Sequence, residues 1–326
     1  MKLGALTALF GNKSLDETLK YMKSLGLQTV ELGSGGVCGK DHCNPEVLLN
    51  DKSKFNEFVD TMKKYDMEIS AFSVHGNPVH PDKAKADAYN EDFKNTILLA
   101  EKLGISRVMN FSGCPGDCPN SKYPNWVIQP WPDDFLTVLD YQWNDILFPF
   151  WSKWAKFAKD HGVDKICLEP HPGFAVYNPE TMLKLRNEIG EVIGCNFDPS
   201  HFFWQGINPS AAIRELGPAI YHFHAKDSSE DMMNISVNGR LDAKPYTEDI
   251  NRAWIFRVLG YGHDDVVWKD MISNLIMVGY DDVLSIEHED ALMTAEEGFE
   301  KAVEFLKSII VFEKSKGTWW CNKEEV

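Results

Sequence analysis

Four polar residues each close a short apolar run: Glu169 after ICL, Asp198 after CNF, His224 after YHF and Glu287 after LSI. They are spaced 29, 26 and 63 residues apart. Three carboxylates and one imidazole gathered in a dry interior would be costly, because the acids repel where the dielectric is low. A divalent cation resolves that repulsion. With substrate oxygens completing its shell, this donor set suits Mn²⁺, Co²⁺ or Mg²⁺ better than a thiolate-rich zinc site, although Zn²⁺ also accepts such ligands. Taken singly, each of the four reads as a buried residue satisfied by a hydrogen bond or salt bridge. Their recurrence at successive strand ends is the specific signal.

Convergence requires elements that bring these ends together. A phrase recurs along the chain: helix end, Gly, short spacer, apolar strand. It appears at 23–33, 101–113, 159–170, 187–199, 214–225 and 276–289, with Gly26, Gly104, Gly162, Gly190, Gly217 and Gly279 placed to close helices. Segments 2–7 and 68–74 bring the count to eight strands, each apolar enough for a parallel sheet covered on both faces. Ser14/Glu17 and Thr294/Glu297 are capping-box signatures ahead of apolar stripes at helical spacing. Strand and helix alternate throughout, and no GxGxxG argues for a doubly wound sheet. The fold class expected is α/β, a (β/α)8 TIM barrel forming a single domain over 1–326, with Glu169, Asp198, His224 and Glu287 facing one another at the strand C-terminal mouth.

Three segments after strands exceed what the repeat needs: 33–50, 112–133 and about 226–266, following the second, fourth and seventh strands. The middle one is rich in proline and carries Tyr123, Trp126 and Trp131, aromatic faces suited to a sugar ring or an aglycone, or alternatively a packed lid. His201, three residues past Asp198, is placed to reach a substrate oxygen. His75 and Asn110 end the third and fourth strands and are expected to line the pocket, and Glu31 ends the second. His222 is expected on the side opposite His224, as a packing histidine. Lys226, Asp227, Arg240, His288 and Glu289 are rim candidates, and Trp319 and Trp320 are packing or oligomer contacts.

Composition narrows the partners. Lys plus Arg total 33 against 49 Asp plus Glu, a net charge of −16, which disfavours nucleic acid and anionic membranes as partners. No apolar stretch approaches the roughly 18 residues of a membrane span, and the N-terminus reads as a strand rather than a signal peptide. Seven cysteines without a CxxC pair fit reduced thiols and a cytoplasmic location.

CLEPHPG (167–173), NFDPSHFFWQG (196–206), HFHAKD (222–227) and LSIEHED (284–290) together resemble the sugar phosphate isomerase/epimerase family, the xylose isomerase-like TIM barrels, over essentially the whole chain. The resemblance implies one divalent metal, usually Mn²⁺, on Glu169, Asp198, His224 and Glu287. It also implies a substrate contact by His201, and Glu169 and Glu287 as the acid/base pair of an enediolate reaction on a small-molecule sugar. Ketose 3-epimerases of the family often carry an Arg six residues past the strand-7 His; here Glu230 stands there, leaving Arg240 or Arg257 as substitutes. With no phosphate-binding Gly-rich loop, a neutral ketose or a 3-oxo-glycoside is expected. Relatives also include catalytic subunits that cleave C-glycosides with a small β-rich partner, so a 3-oxo-glycoside lyase is the alternative. Relatives often form homo-oligomers. An endonuclease IV-like phosphodiesterase is disfavoured by the charge and the few strand-end histidines, and a non-catalytic sugar-binding relative by the retention of all four ligands.

Overall fold

The structure is a computed structural model that describes residues 1–315, 317, 318 and 320–322. Eight parallel strands close into a barrel: β1 (Lys2–Leu6), β2 (Thr29–Gly33), β3 (Glu68–Ser73), β4 (Arg107–Asn110), β5 (Lys165–Leu168), β6 (Ile193–Phe197), β7 (Ile220–Ala225) and β8 (Val283–Ile286). Each pairs with its sequence neighbours, and β8 returns to β1 through Lys2 opposite Val283. The strands begin where the recurring phrase places them, and all six expected glycines adopt positive φ at the helix ends.

The capping boxes differ. Ser14 and Glu17 exchange both hydrogen bonds. Thr294 accepts the Glu297 N–H, but the Glu297 side chain instead pairs with Lys301 at 3.5 Å. Apolar residues on the outward strand faces pack against the helices, as where Phe223 of β7 meets Trp268 of the helix Asp265–Met277 edge-on with centroids 6.5 Å apart. Two register shifts, at Val30/Glu31 and Cys195/Asn196, sit where β2 and β6 carry polar residues into the barrel. Bulges of this kind re-aim side chains next to sites.

The three long segments all leave the C-terminal ends of strands. The first holds a 3₁₀ turn, Gly36–Cys38, and a helix, Pro45–Asn50. The second is irregular and leads into a helical stretch over 134–160 whose centre, Tyr141–Leu147, is a π-helix. The third is a small structured insertion: Asp227–Glu230 pairs antiparallel with Trp254–Arg257, and helix Met232–Asn238 lies between them. It has its own core, with Trp204 stacked on Trp254 at 4.6 Å. The Asp227 carboxylate ties its return by accepting N–H groups from Gly260, Gly262 and His263. No helix among the described residues is long and apolar enough to cross a membrane.

Candidate metal centre

The four strand-end residues meet. Glu169, Asp198, His224 and Glu287 each offer a ligand atom, and these atoms all lie within 4.8 Å of one another. His224 Nδ1 stands 3.1 Å from Glu169 Oε2 and 2.8 Å from Glu287 Oε2. Asp198 caps the helix Pro199–Phe203 through Oδ1, which accepts the Ser200 N–H at 2.8 Å, and this leaves Oδ2 buried without a hydrogen-bond partner. Glu287 Oε2 likewise makes no hydrogen bond despite its closeness to His224. Carboxylate oxygens buried close together and left without a hydrogen bond are what a cation answers, so this side-chain set fits a divalent metal.

The arrangement behind His224 strengthens the fit. Its Nε2 donates to both Glu31 oxygens at 2.9 and 3.0 Å. Because ionised Glu31 can only accept, Nε2 must carry hydrogen, and Nδ1 is the atom turned to Glu169 and Glu287. Glu31 is held in turn by the hydroxyls of Ser73 and Ser285. On β6, Asn196 donates to Glu169 Oε2 at 2.9 Å and accepts from His222 Nδ1 at 3.0 Å. His222 therefore does not face away from His224. Residues two apart on a strand share a face, and both histidines enter the barrel, where His222 supports the amide that positions Glu169.

His201 Nε2 lies 3.2 Å from Glu169 Oε1 and 3.3 Å from Asp198 Oδ2, and neither of its ring nitrogens has a hydrogen-bond partner. Lys226, 3% exposed, puts Nζ 3.3 Å from Glu287 and 3.7 Å from Asp198 and pairs closely with Glu289. It is the buried cation of the site, more central than its expected rim position.

These contacts set the protonation. Burial raises Asp198 to about 6, with His201 and Lys226 opposing. Burial would also raise Glu169 and Glu287, but it is outweighed: the imidazoles of His201, His224 and His75 close beside it hold Glu169 well below the usual carboxylate range, and Lys226 and His224 hold Glu287 low. Burial opposes a charge on His224, yet Glu31 and Glu287 push its pKa well above the ordinary value. Burial disfavours the charge on Glu31 too, and His224 brings it down to about 2.

The remaining expected residues divide. His75 sits beside Glu169, Nε2 to Oε2 at 3.3 Å. Burial works against its charge, but Cys38 and Glu169 raise it to about 10. Asn110 spends its carbonyl on the Gly76 and Phe111 N–H groups, so it ties two strand-end loops together. Arg240 is paired with Glu230, the residue standing where the resemblance expects an Arg, which neutralises its guanidinium at a half-exposed position. Trp131 is 72% exposed, and Trp126 packs edge-on against Tyr177 at 5.5 Å. The aromatic wall nearest the cluster comes instead from the third long segment. A cavity of about 260 Å³ is lined by His171, Tyr246, Ile255, Phe256 and Glu289, among others, and by neither of those tryptophans. It adjoins the cluster, since His201 lies 4.0 Å from His171 and 5.6 Å from Phe256 between ring centroids. A groove of about 480 Å³ at the opposite end of the barrel, between Lys2, Met62 and Glu68, is lined by none of the four strand-end residues.

A parallel eight-stranded barrel with a carboxylate–imidazole cluster at its C-terminal mouth defines a class of metal-site TIM barrels. The chain belongs to the xylose isomerase-like TIM barrel family, whose model matches residues 19–309. It is 38% identical over 312 residues to the uncharacterized protein YfiH of Bacillus subtilis (strain 168), covering 95% of this chain and 99% of that protein. Among solved structures it resembles an IOLI protein with a bound zinc atom (TM-score 0.65, 19% identity, 95% of this chain and 98% of that one). It also resembles a D-tagatose 3-epimerase-like protein (TM-score 0.61, 20% identity, 95% and 98%). At these identities the structural likeness speaks for the fold.

Proposed function

We propose that this protein is a divalent-metal-dependent sugar isomerase or epimerase that moves a proton next to a carbonyl on a ketose or 3-oxo-sugar. The observation that carries the reading is the pair Glu169 and Glu287. They come from strands at the two ends of the β5–β8 arc, and both carboxylates face His224 Nδ1 across one small centre. Glu169, Asp198, His224 and Glu287 would hold the ion, with Mn²⁺ favoured and Co²⁺, Mg²⁺ or Zn²⁺ compatible. When bound, the ion supplies Lewis-acid stabilisation of negative charge on neighbouring carbonyl and hydroxyl oxygens.

The protein's own groups do the rest. One of Glu169 and Glu287 takes the carbon-bound proton and the other returns one on the opposite face, which inverts the carbon. A single carboxylate serving two adjacent carbons would give aldose–ketose isomerisation instead. Asn196 and Lys226 hold the two acids in place and ionised. His201 and His75, buried with unpartnered ring nitrogens, are positioned to meet substrate oxygens. The names of the D-tagatose 3-epimerase-like and zinc-bound neighbours support the same reading.

The test is incubation with Mn²⁺ and D-fructose, D-tagatose, D-psicose or methyl 3-oxo-glucoside in D₂O, followed by NMR. Deuterium should enter the carbon next to the carbonyl. Turnover of any of these sugars without deuterium in the product would refute proton transfer. A second reading, cleavage of 3-oxo-glycosides by the same enolisation, is favoured by the aromatic cavity beside the cluster. Release of phenol from phenyl 3-oxo-glucoside would distinguish it.

A further inference from the structure

The insertion that follows β7 carries a buried cation of its own, apart from the four ligands. Arg252 is 2% exposed, and among the described residues it makes no ion pair. Its guanidinium lies between two rings, with Cζ 4.3 Å from the Tyr246 centroid and 4.8 Å from that of Trp254. Nε donates to the Trp254 carbonyl at 3.1 Å, and Nη1 to the Lys244 carbonyl. A guanidinium withdrawn from water without a carboxylate is costly, and here two carbonyls and two aromatic faces offset that cost.

The places of those two carbonyls give the contact its meaning. Lys244 stands two residues before Tyr246, and Trp254 two before Phe256, so one side chain ties together the two segments that supply the rings of the cavity wall. The Arg252 carbonyl accepts the Asn234 side-chain amide at 2.9 Å, which adds the insertion helix to the same tie. Trp254 stacks in turn on Trp204, the residue that ends the helix carrying His201. Phe256 is fixed from the barrel side, with Lys226 Nζ 4.3 Å from its centroid and His201 edge-on at 5.6 Å. Tyr246 has no such support. It is 58% exposed, its hydroxyl makes no hydrogen bond among the described residues, and its ring otherwise meets only Phe256, stacked at 5.9 Å, and Trp254, edge-on at 6.0 Å.

We propose that Arg252 is a positioning residue that sets specificity: wedged between Tyr246 and Trp254, it holds the Tyr246 ring parallel to Phe256, so that the cavity offers a flat aromatic wall to a ring the substrate carries beyond its reacting sugar. A guanidinium is planar and donates in a fixed fork, so it can stack and bridge two carbonyls at once, which neither Lys nor Met can do. The use made of the wall rests on the reading that seats the reacting sugar at Glu169 and Glu287; the coupling of Arg252 to Tyr246 does not.

The test is a double-mutant cycle read by binding without turnover. Wild type, Arg252→Met, Tyr246→Ala and the double variant, each with Mg²⁺, are titrated with phenyl and with methyl β-D-glucoside, and Kd is taken from NMR shifts. Wild type should bind the phenyl glucoside about 10-fold more tightly than the methyl glucoside. Arg252→Met and Tyr246→Ala should each weaken the phenyl glucoside about 5-fold and leave the methyl glucoside within about twofold. In the Tyr246→Ala background, Arg252→Met should weaken it no further. Equal weakening of both glucosides by Arg252→Met, losses that multiply in the double variant, or a wild type without preference for the phenyl glucoside each overturn the proposal. If Arg252→Met does not fold, Arg252→Lys takes its place in the cycle with the same outcomes, since it keeps the charge and loses the plane. These glucosides have no carbonyl next to which a proton could move, so failure of the isomerase reading in D₂O would leave this result standing.

Discussion

The sharpest consequence of the site is the pH dependence of its metal affinity. His224 Nδ1 lies between two carboxylates, with Glu31 on its other nitrogen, so without metal it keeps a proton far above the usual imidazole range. A metal binding through Nδ1 must displace that proton. The sign follows: the metal-free state holds more protons, so affinity falls as pH falls. One proton released corresponds to about a tenfold gain per pH unit, or about 1.4 kcal/mol. Between pH 6.5 and 8.5 the Kd for Mg²⁺ or Mn²⁺ should therefore drop about 100-fold. Below about pH 6 the slope should steepen towards two protons, because burial raises Asp198 to about 6 and it too must ionise to bind. Chelator competition across this range gives the Kd, and calorimetry in two buffers of different ionisation enthalpy counts the protons. A Kd constant within threefold from pH 6.5 to 8.5, or heats independent of buffer, would refute the assignment of His224 Nδ1 as a ligand.

Three further outcomes are expected. Glu31→Gln removes the charge that holds the His224 proton, so the pH above which affinity levels off should move down, and fewer protons should be released at pH 8. Lys226→Met leaves Glu287 and Asp198 without their buried cation; the metal-free protein should lose about 3 kcal/mol in denaturant unfolding, the lower end for a broken buried pair because Glu289 is half exposed. The same change removes a positive neighbour of the metal, so the Tm gain on adding Mg²⁺ should exceed that of wild type, and a smaller gain would contradict the geometry. Tyr246→Ala strips the ring stacked on Phe256 in the cavity wall and should raise KM for phenyl 3-oxo-glucoside roughly 2- to 10-fold while leaving a free ketose within twofold.

The barrel and its four strand-end residues were legible because a strand buried on both faces reads as an apolar run. The first polar residue after it then marks the mouth. Other parts depend on closure or on local geometry that no run of residues announces. Glu31 looks like one more strand-end acid until the barrel closes and brings it across to His224. His222 shares the inward strand face with His224, as the period of two requires, rather than the opposite face expected of it. The strand Asp227–Glu230 reads as a polar loop, and only its pairing with Trp254–Arg257 reveals the structured insertion that supplies Tyr246 and Phe256. Trp126 and Trp131, conspicuous in sequence, sit on a segment that does not line that cavity.

The buried charges explain why a divalent ion suits this interior. Glu31, Glu169, Asp198 and Glu287 bring four negative charges, and Lys226 answers one of them. With His224 protonated and Asp198 neutral, these six groups, His75 left aside, together carry one net negative charge without metal. Replace those two protons by one divalent cation and the total is unchanged. A monovalent ion would leave this low-dielectric layer one charge more negative than its metal-free state, and a trivalent one would leave it one charge more positive. The exchange of protons for metal that the pH experiment measures is thus also what keeps the buried polar layer of the barrel near electrical balance in both states.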